Sequence, residues 1–146
     1  MKYFDVLGLS DDAGAIAYLK ALEMKRLKLC LGSPEQQDWQ GISLVVTGAS
    51  LGDSREKDVW KIAKQRGVPT VCLVDHWTHL GARFRSPRHG TTVYPDSIIV
   101  NDEVAKGLLM RKGVPENMIH PLGNPVLEEQ EWDPVDVPVQ RHLQEK

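Results

Sequence analysis

Cysteine is scarce in this sequence, and its placement excludes two kinds of site. Cys30 and Cys72 lie in separate apolar runs, "LKLCLGS" and "TVCLV", and neither has a second cysteine nearby. This spacing excludes a paired-cysteine metal site and a Cys-x-x-Cys redox motif. We therefore expect both residues to be buried, reduced thiols in a cytoplasmic protein.

Long hydrophobic runs and an excess of positive charge are also missing. No run approaches the roughly 18 apolar residues of a membrane span. The opening "MKYFDVLGLSDDAG" has only a short apolar stretch before acidic residues, so no secretory signal and no membrane span are expected. The formal net charge is −2. General nucleic-acid binding is not expected, because phosphate-dominated binding needs a basic face.

The charge is unevenly distributed along the 146 residues. Six acidic and two basic residues fall in 126–146, which leaves 16 basic and 14 acidic residues in the remainder. This acidic segment contains prolines and has no sustained period, as is typical of a strap or linker. We expect one domain over residues 1–125, followed by an acidic tail or interdomain linker remnant over 126–146.

Short apolar runs alternate with longer helical patterns, and this alternation is typical of βαβ units. The predicted strands are residues 3–9, 27–31, 42–47, 70–74 and 97–100, with a short strand near Ile119. A first helix is predicted over about residues 12–26. The expected fold is α/β, a Rossmann-like open parallel sheet covered by helices in three α/β/α layers, with the first strand in the sheet interior.

Two later helices have the same delimiting residues. The segments "DSREKDVWKIAKQRGVP" and "NDEVAKGLLMRKGVP" open on a capping residue and end in Gly-Val-Pro. Asp53 and Glu56 have capping-box spacing, while Gly67 and Gly113 suit left-handed caps. Each helix is therefore predicted to begin and end through its own local chemistry.

In open α/β sheets the ligand crevice lies beyond the carboxyl ends of the strands. After the first strand, "GLSDDAG" lacks the order of a nucleotide fingerprint, and a capped turn explains it. After the third strand, "TGASLGDS" has Gly48 and Gly52, which would let a phosphate or carboxylate approach backbone N–H groups. A capped turn without a ligand is an equal alternative for this stretch.

The stretch "DHWTHLGARF" follows the fourth strand and contains the most side chains that could take part in catalysis or binding. Asp75 could orient His76 as a base or electrophile, and Trp77 could stack on a sugar. A metal site built from Asp75, His76 and His79 is an alternative, but no third strong ligand is evident. Simple packing and capping of the strand end is the other alternative.

The next stretch, "GARFRSPRHG", contains only basic charged residues. Guanidinium groups recognise phosphates by paired hydrogen bonds, so Arg83, Arg85 and Arg88 could hold a phosphorylated ligand. A solvated surface loop is the competing interpretation.

Three segments together resemble a known family. They are "DAGAIAYLKALE", "TGASLGDSREKDVWKIAKQRGVPTVCLVDHWTHLGARF" and "YPDSIIVNDEVAKGLLMRKGVPENMIHPLGNPVLE". They look like the N-terminal half of a GT-B-type glycosyltransferase, in the wider group that includes the UDP-N-acetylglucosamine 2-epimerases. The resemblance covers roughly residues 10 to 127, and the exit segment "GVPENMIHPLGNP" is its most telling part.

The resemblance implies an acceptor-side domain that acts on nucleotide-sugars, as in polysaccharide biosynthesis, and needs a separate donor-side partner or domain. The expected ligands are a nucleotide-sugar or a sugar acceptor, with no cofactor and no metal, and a partner protein or a homo-oligomer would complete the enzyme. The resemblance places His76 in the catalytic role. It also places a set of residues at the cleft: Asp12, Gly14, Gly52, Asp53, Asp75 and Asn124. A non-catalytic sugar- or phosphate-binding module of the same fold is the alternative.

Overall fold

The structure, a computed structural model, describes residues 6–9, 27–30, 33–52, 55–87 and 90–124. The strands are β1 (Val6–Leu9), β2 (Leu27–Cys30), β3 (Val45–Thr47), β4 (Thr70–Val74), β5 (Arg85–Ser86), β6 (Thr91–Thr92), β7 (Ser97–Val100) and β8 (Ile119–Pro121). The helices are α1 (Arg55–Gln65) and α2 (Glu103–Met110). Neither helix is long and apolar enough to cross a membrane.

A four-stranded parallel sheet organises most of the described residues. Its order is β3-β4-β7-β8, and every neighbouring pair in it is parallel. Strands β1 and β2 form a separate parallel pair. The α/β class with an open parallel sheet is therefore confirmed, and the predicted strands 70–74 and 97–100 match β4 and β7 residue for residue.

The position predicted for the first strand is wrong in the described residues. Strand β1 pairs with β2 alone, and the four-stranded sheet begins at β3. Strand β3 is also shorter than predicted, because Ile42 N donates to Trp39 O at 3.2 Å and closes a turn in which Gly41 has φ 78°. Val46 is 56% exposed, which a strand covered on both faces would not show.

The helices α1 and α2 pack on one face of the four-stranded sheet. Trp60 of α1 and Leu109 of α2 share one core cluster with sheet residues such as Cys72, Ile98 and Val100. On the other face the side chain of Leu73 is 44% exposed. The predicted helix over 12–26, which would belong to another layer, lies outside the described residues, as does the tail.

The predicted helix ends are confirmed where the structure describes them. Asp102 caps α2, since its Oδ1 accepts a hydrogen bond from Ala105 N at 2.8 Å. Gly67 and Gly113 have φ of 67° and 86°, so both adopt the left-handed conformation expected after a helix. Asp53 of the predicted capping box lies outside the described residues.

A long connection, residues 75–96, runs from β4 to β7, and we call it the β4–β7 loop. Phe84 is fully buried and anchors the loop, with its ring 5.9 Å from Trp60 and 5.3 Å from Tyr94. The antiparallel β5–β6 hairpin lies within this loop. The sequence did not predict the hairpin, because strands of two residues have no measurable periodicity.

Candidate functional site

The carboxyl edge of the sheet brings together loops that are distant in sequence. Residues 48–52 follow β3, residues 75–79 follow β4, and Asn101 and Asp102 follow β7. Because parallel strands end at the same edge, these loops form the rim where an α/β protein ordinarily binds its ligand. Gly52, Asp75 and His76 all belong to this rim.

Asp75 and His76 are both exposed, and they do not form the orienting hydrogen bond that a dyad needs. Within the described residues, neither the Asp75 carboxylate nor the His76 imidazole has a hydrogen-bond partner. The Asp75 backbone is held instead, because Asn101 Nδ2 donates to its carbonyl at 3.0 Å. The His76 ring lies 6.3 Å from the Trp77 ring at 78°, an edge contact. Among the described residues, the edge contact with Trp77 is the one interaction of the His76 ring, and no hydrogen bond orients the imidazole.

Trp77 is fixed while part of its surface stays accessible. Its Nε1 donates to Asp102 Oδ2 at 2.9 Å, and the residue remains 41% exposed. Asp102 therefore uses one oxygen for Trp77 and the other for the cap of α2. An indole held in this way offers an apolar surface on which a sugar ring can stack.

Arg83 connects two loops of the rim. Its Nη1 donates to Ala49 O, and its Nε donates to Thr78 O at 3.2 Å. The side chain is half-buried. These bonds to carbonyls occupy two of the guanidinium donors, so Arg83 holds the loops together, and gripping a phosphate would require exchanging at least part of this arrangement.

The loop after β3 is anchored to α1. Ser50 Oγ donates to Glu56 Oε1 at 2.6 Å, and Lys57 Nζ donates to Ser50 O at 3.0 Å. Gly52 has φ 75°, and none of the described residues lies within 4 Å of where its Cβ would be. The glycine is therefore required by backbone conformation, and the open space beside it leaves room for a ligand.

The described residues also form an open cleft of about 580 Å³. It lies between the β4–β7 loop and α2, and its lining includes Trp77, His79, Arg85, Tyr94, Leu108 and Lys112. Gly52, Asp75 and His76 do not line this cleft. A single pocket that holds those three residues stays a prediction.

Several predicted site residues cannot be placed. Asp12, Gly14, Asp53 and Arg88 lie outside the described residues. Asn124 is half-buried just beyond β8. Among the described residues no group of three or more His, Cys, Asp and Glu side chains is arranged to hold a metal ion.

Asn101, Asp102 and Lys112 were not predicted as site residues, although a capping residue was expected at the start of α2. The first two directly follow the strand run "SIIV", so the rule that led to Asp75 and His76 would have found them if applied to every strand. Lys112 lines the cleft between the β4–β7 loop and α2 because of tertiary packing, and no local sequence pattern predicts that position.

Cys72 confirms the predicted buried thiol. It is fully buried in β4, and Sγ lies 3.2 Å from the carbonyl of Gly48. Burial raises the pKa of the thiol to about 12. The thiol is therefore protonated near neutral pH and unsuited to act as a nucleophile. The side chain of Cys30 lies outside the described part.

No protein-family model, curated protein or solved structure matches this chain. The evidence for the fold class is therefore the strand order of the described residues. The evidence for a function is the geometry of the rim and the three sequence segments that resemble GT-B-type glycosyltransferases.

Proposed function

We propose that this chain is the acceptor-side domain of a glycosyltransferase-like protein that acts on nucleotide-sugars in the cytoplasm. The chemistry is sugar transfer, or epimerisation of the sugar, at the carboxyl edge of the sheet. His76 serves as the base or electrophile, and Trp77 holds the sugar ring. The resemblance to GT-B-type glycosyltransferases supports this proposal.

The main structural support for the proposal is the set of hydrogen bonds that join the three loops of the rim. Asn101 ties the loop after β7 to Asp75, Asp102 ties it to Trp77, and Arg83 ties the loop after β4 to the loop after β3. Such cross-links preorganise a site, because the loops then lose little further entropy when a ligand binds. His76 stands exposed on this rim with an imidazole free to exchange a proton with a hydroxyl group.

A donor-side partner, or a second copy of the chain, completes the site in this proposal. Sugar transfer needs the donor phosphates to be stabilised and the acceptor to be aligned with them, and that requires an enclosed site. The rim, by contrast, is exposed at Asp75 and His76. We therefore expect no measurable transfer by the 146-residue chain alone.

The test is a transfer assay with a panel of nucleotide-sugars and acceptors, run on the chain alone and with candidate donor-side proteins. Turnover that appears only with a partner, and that His76→Ala abolishes, is the expected result. Because His76 is exposed, this variant should keep its folding stability within about 0.5 kcal/mol. Turnover that survives His76→Ala in a folded complex would contradict the assigned role.

A non-catalytic sugar- or phosphate-binding module is the second candidate. The missing Asp75–His76 hydrogen bond favours it, since an unoriented imidazole is a weaker general base. Binding of a sugar at the rim without turnover under any partner condition would identify this alternative.

A further inference from the structure

The cleft between the β4–β7 loop and α2 is a second candidate site, which shares Trp77 and His79 with the carboxyl-edge rim. Trp77 stands at one end, beside the start of α2, and Lys112 stands at the other, just beyond its last residue. The volume of the cleft, about 580 Å³, lies within the range typical of small-molecule sites.

Two cationic side chains line this cleft. Arg85 and Lys112 are both exposed and both line it, and among the described residues neither forms an ion pair or a side-chain hydrogen bond. No acidic side chain is among the described residues that line the cleft. Because the charged residues of this lining, Arg85 and Lys112, are both cations, the cleft favours an anion.

The stem of Lys112 lies beside Gly81. A Cβ added to Gly81 would lie 3.3 Å from Lys112 Cγ, so the lysine stem rests directly against the Gly81 backbone. A methyl group at position 81 would displace this stem by a few tenths of an ångström without changing any charge.

The other lining residues are suited to a ring. Trp77 is clamped by Asp102, Tyr94 packs against the buried Phe84, and Leu108 lines the floor beside them. His79, which holds an uncommon left-handed backbone conformation with φ 56°, adds a ring N–H donor to the lining. Fixed aromatic surfaces bind planar and sugar rings at low entropic cost.

From this lining we infer that the cleft binds a phosphate monoester that carries a ring, with the phosphate held by Arg85 and Lys112 and the ring against Trp77. The inference shares Trp77 with the proposed function, but Gly52, Asp75 and His76 take no part in it, so loss of binding in Lys112→Ala or Arg85→Ala tests the cleft alone. Hexose phosphates and nucleoside monophosphates share this chemistry, and the experiment below distinguishes them.

The test is isothermal titration of the full chain with inorganic phosphate, a hexose phosphate and a nucleoside monophosphate at low ionic strength. At least one ester should bind more tightly than inorganic phosphate, and Lys112→Ala and Arg85→Ala should each weaken it about tenfold. Gly81→Ala should weaken binding while retaining every charge. Lys64→Ala, which removes an exposed charge from α1 outside the cleft, should change nothing.

The Trp77→Ala variant tests the ring contact. It should weaken the preferred ester severalfold and leave inorganic phosphate unchanged. No binding of any probe at roughly millimolar concentration, or equal binding by the wild type and Lys112→Ala, would overturn the inference. Circular dichroism of each variant establishes that the fold is retained, and Lys112 and Arg85 are exposed enough for this to be expected.

Discussion

The Trp77 indole nitrogen lies 2.9 Å from one oxygen of Asp102, whose other oxygen lies 2.8 Å from Ala105 N at the start of α2. One carboxylate thus joins the loop after β4 to the helix after β7. The placement of an exposed aromatic residue therefore depends on a helix cap.

Replacing Asp102 should cost more stability than replacing its partner. Asp102→Ala removes both the cap and the indole acceptor, and we expect the free energy of unfolding to fall by about 1–2 kcal/mol. Trp77→Phe removes only the exposed hydrogen bond and should cost less. Chemical denaturation of both variants measures the difference, and equal losses would show that the cap contributes little.

Phe84 should be the main anchor of the β4–β7 loop. It is fully buried between Trp60 and Tyr94, so Phe84→Ala is expected to cost about 3–5 kcal/mol of unfolding free energy. Phe84→Leu, the matched control, refills most of the cavity and should cost less. A loss below 1 kcal/mol for the alanine variant, at roughly the level of a surface substitution, would mean that the loop packs independently of this ring.

Gly52 and Gly48 provide a matched pair within one loop. Both have open space at the Cβ position, but only Gly52 has a left-handed φ, 75°. Gly52→Ala should therefore cost about 1–2 kcal/mol. Gly48→Ala should stay within about 0.5 kcal/mol of the wild type. Thermal or denaturant unfolding checks both, and a larger loss at Gly48 would contradict the assigned backbone roles.

Cys72 should make folding stability sensitive to alkaline pH. Burial raises the pKa of its thiol from 9.0 to about 12, so the folded state retains a proton that the unfolded state releases. The stabilisation is complete below pH 9 and is lost as pH rises toward 12. We expect the unfolding free energy of Cys72→Ala to fall less steeply with rising pH than that of the wild type over this window. Parallel slopes for the two proteins would contradict the burial effect.

Much of the fold was predictable because it depends on local signals. The apolar runs of β4 and β7 and the glycines that end both helices are readable without tertiary information, and the structure has them as predicted. The early turn at Gly41 and the hairpin around Arg85 were missed, since each depends on a few hydrogen bonds with no periodic pattern.

The candidate site was predictable only in part. The strand-end rule located Asp75, His76 and Trp77, because loop position follows from strand position. It could not show that Arg83 binds carbonyls, since the sequence does not record which loop an arginine reaches. The approach of Lys112 to Gly81 is likewise a product of tertiary packing.

The most direct test of the central claim maps where a nucleotide-sugar touches the chain. Amide chemical shifts of the ¹⁵N-labelled protein should be followed during titration with a nucleotide-sugar panel and with sugar acceptors, in the wild type and in His76→Ala. We expect weak binding with shifts concentrated in residues 48–52, 75–77 and 101–102, and a diminished response in the variant. Absence of shifts at this rim for every ligand, or a response unchanged by His76→Ala, would contradict it.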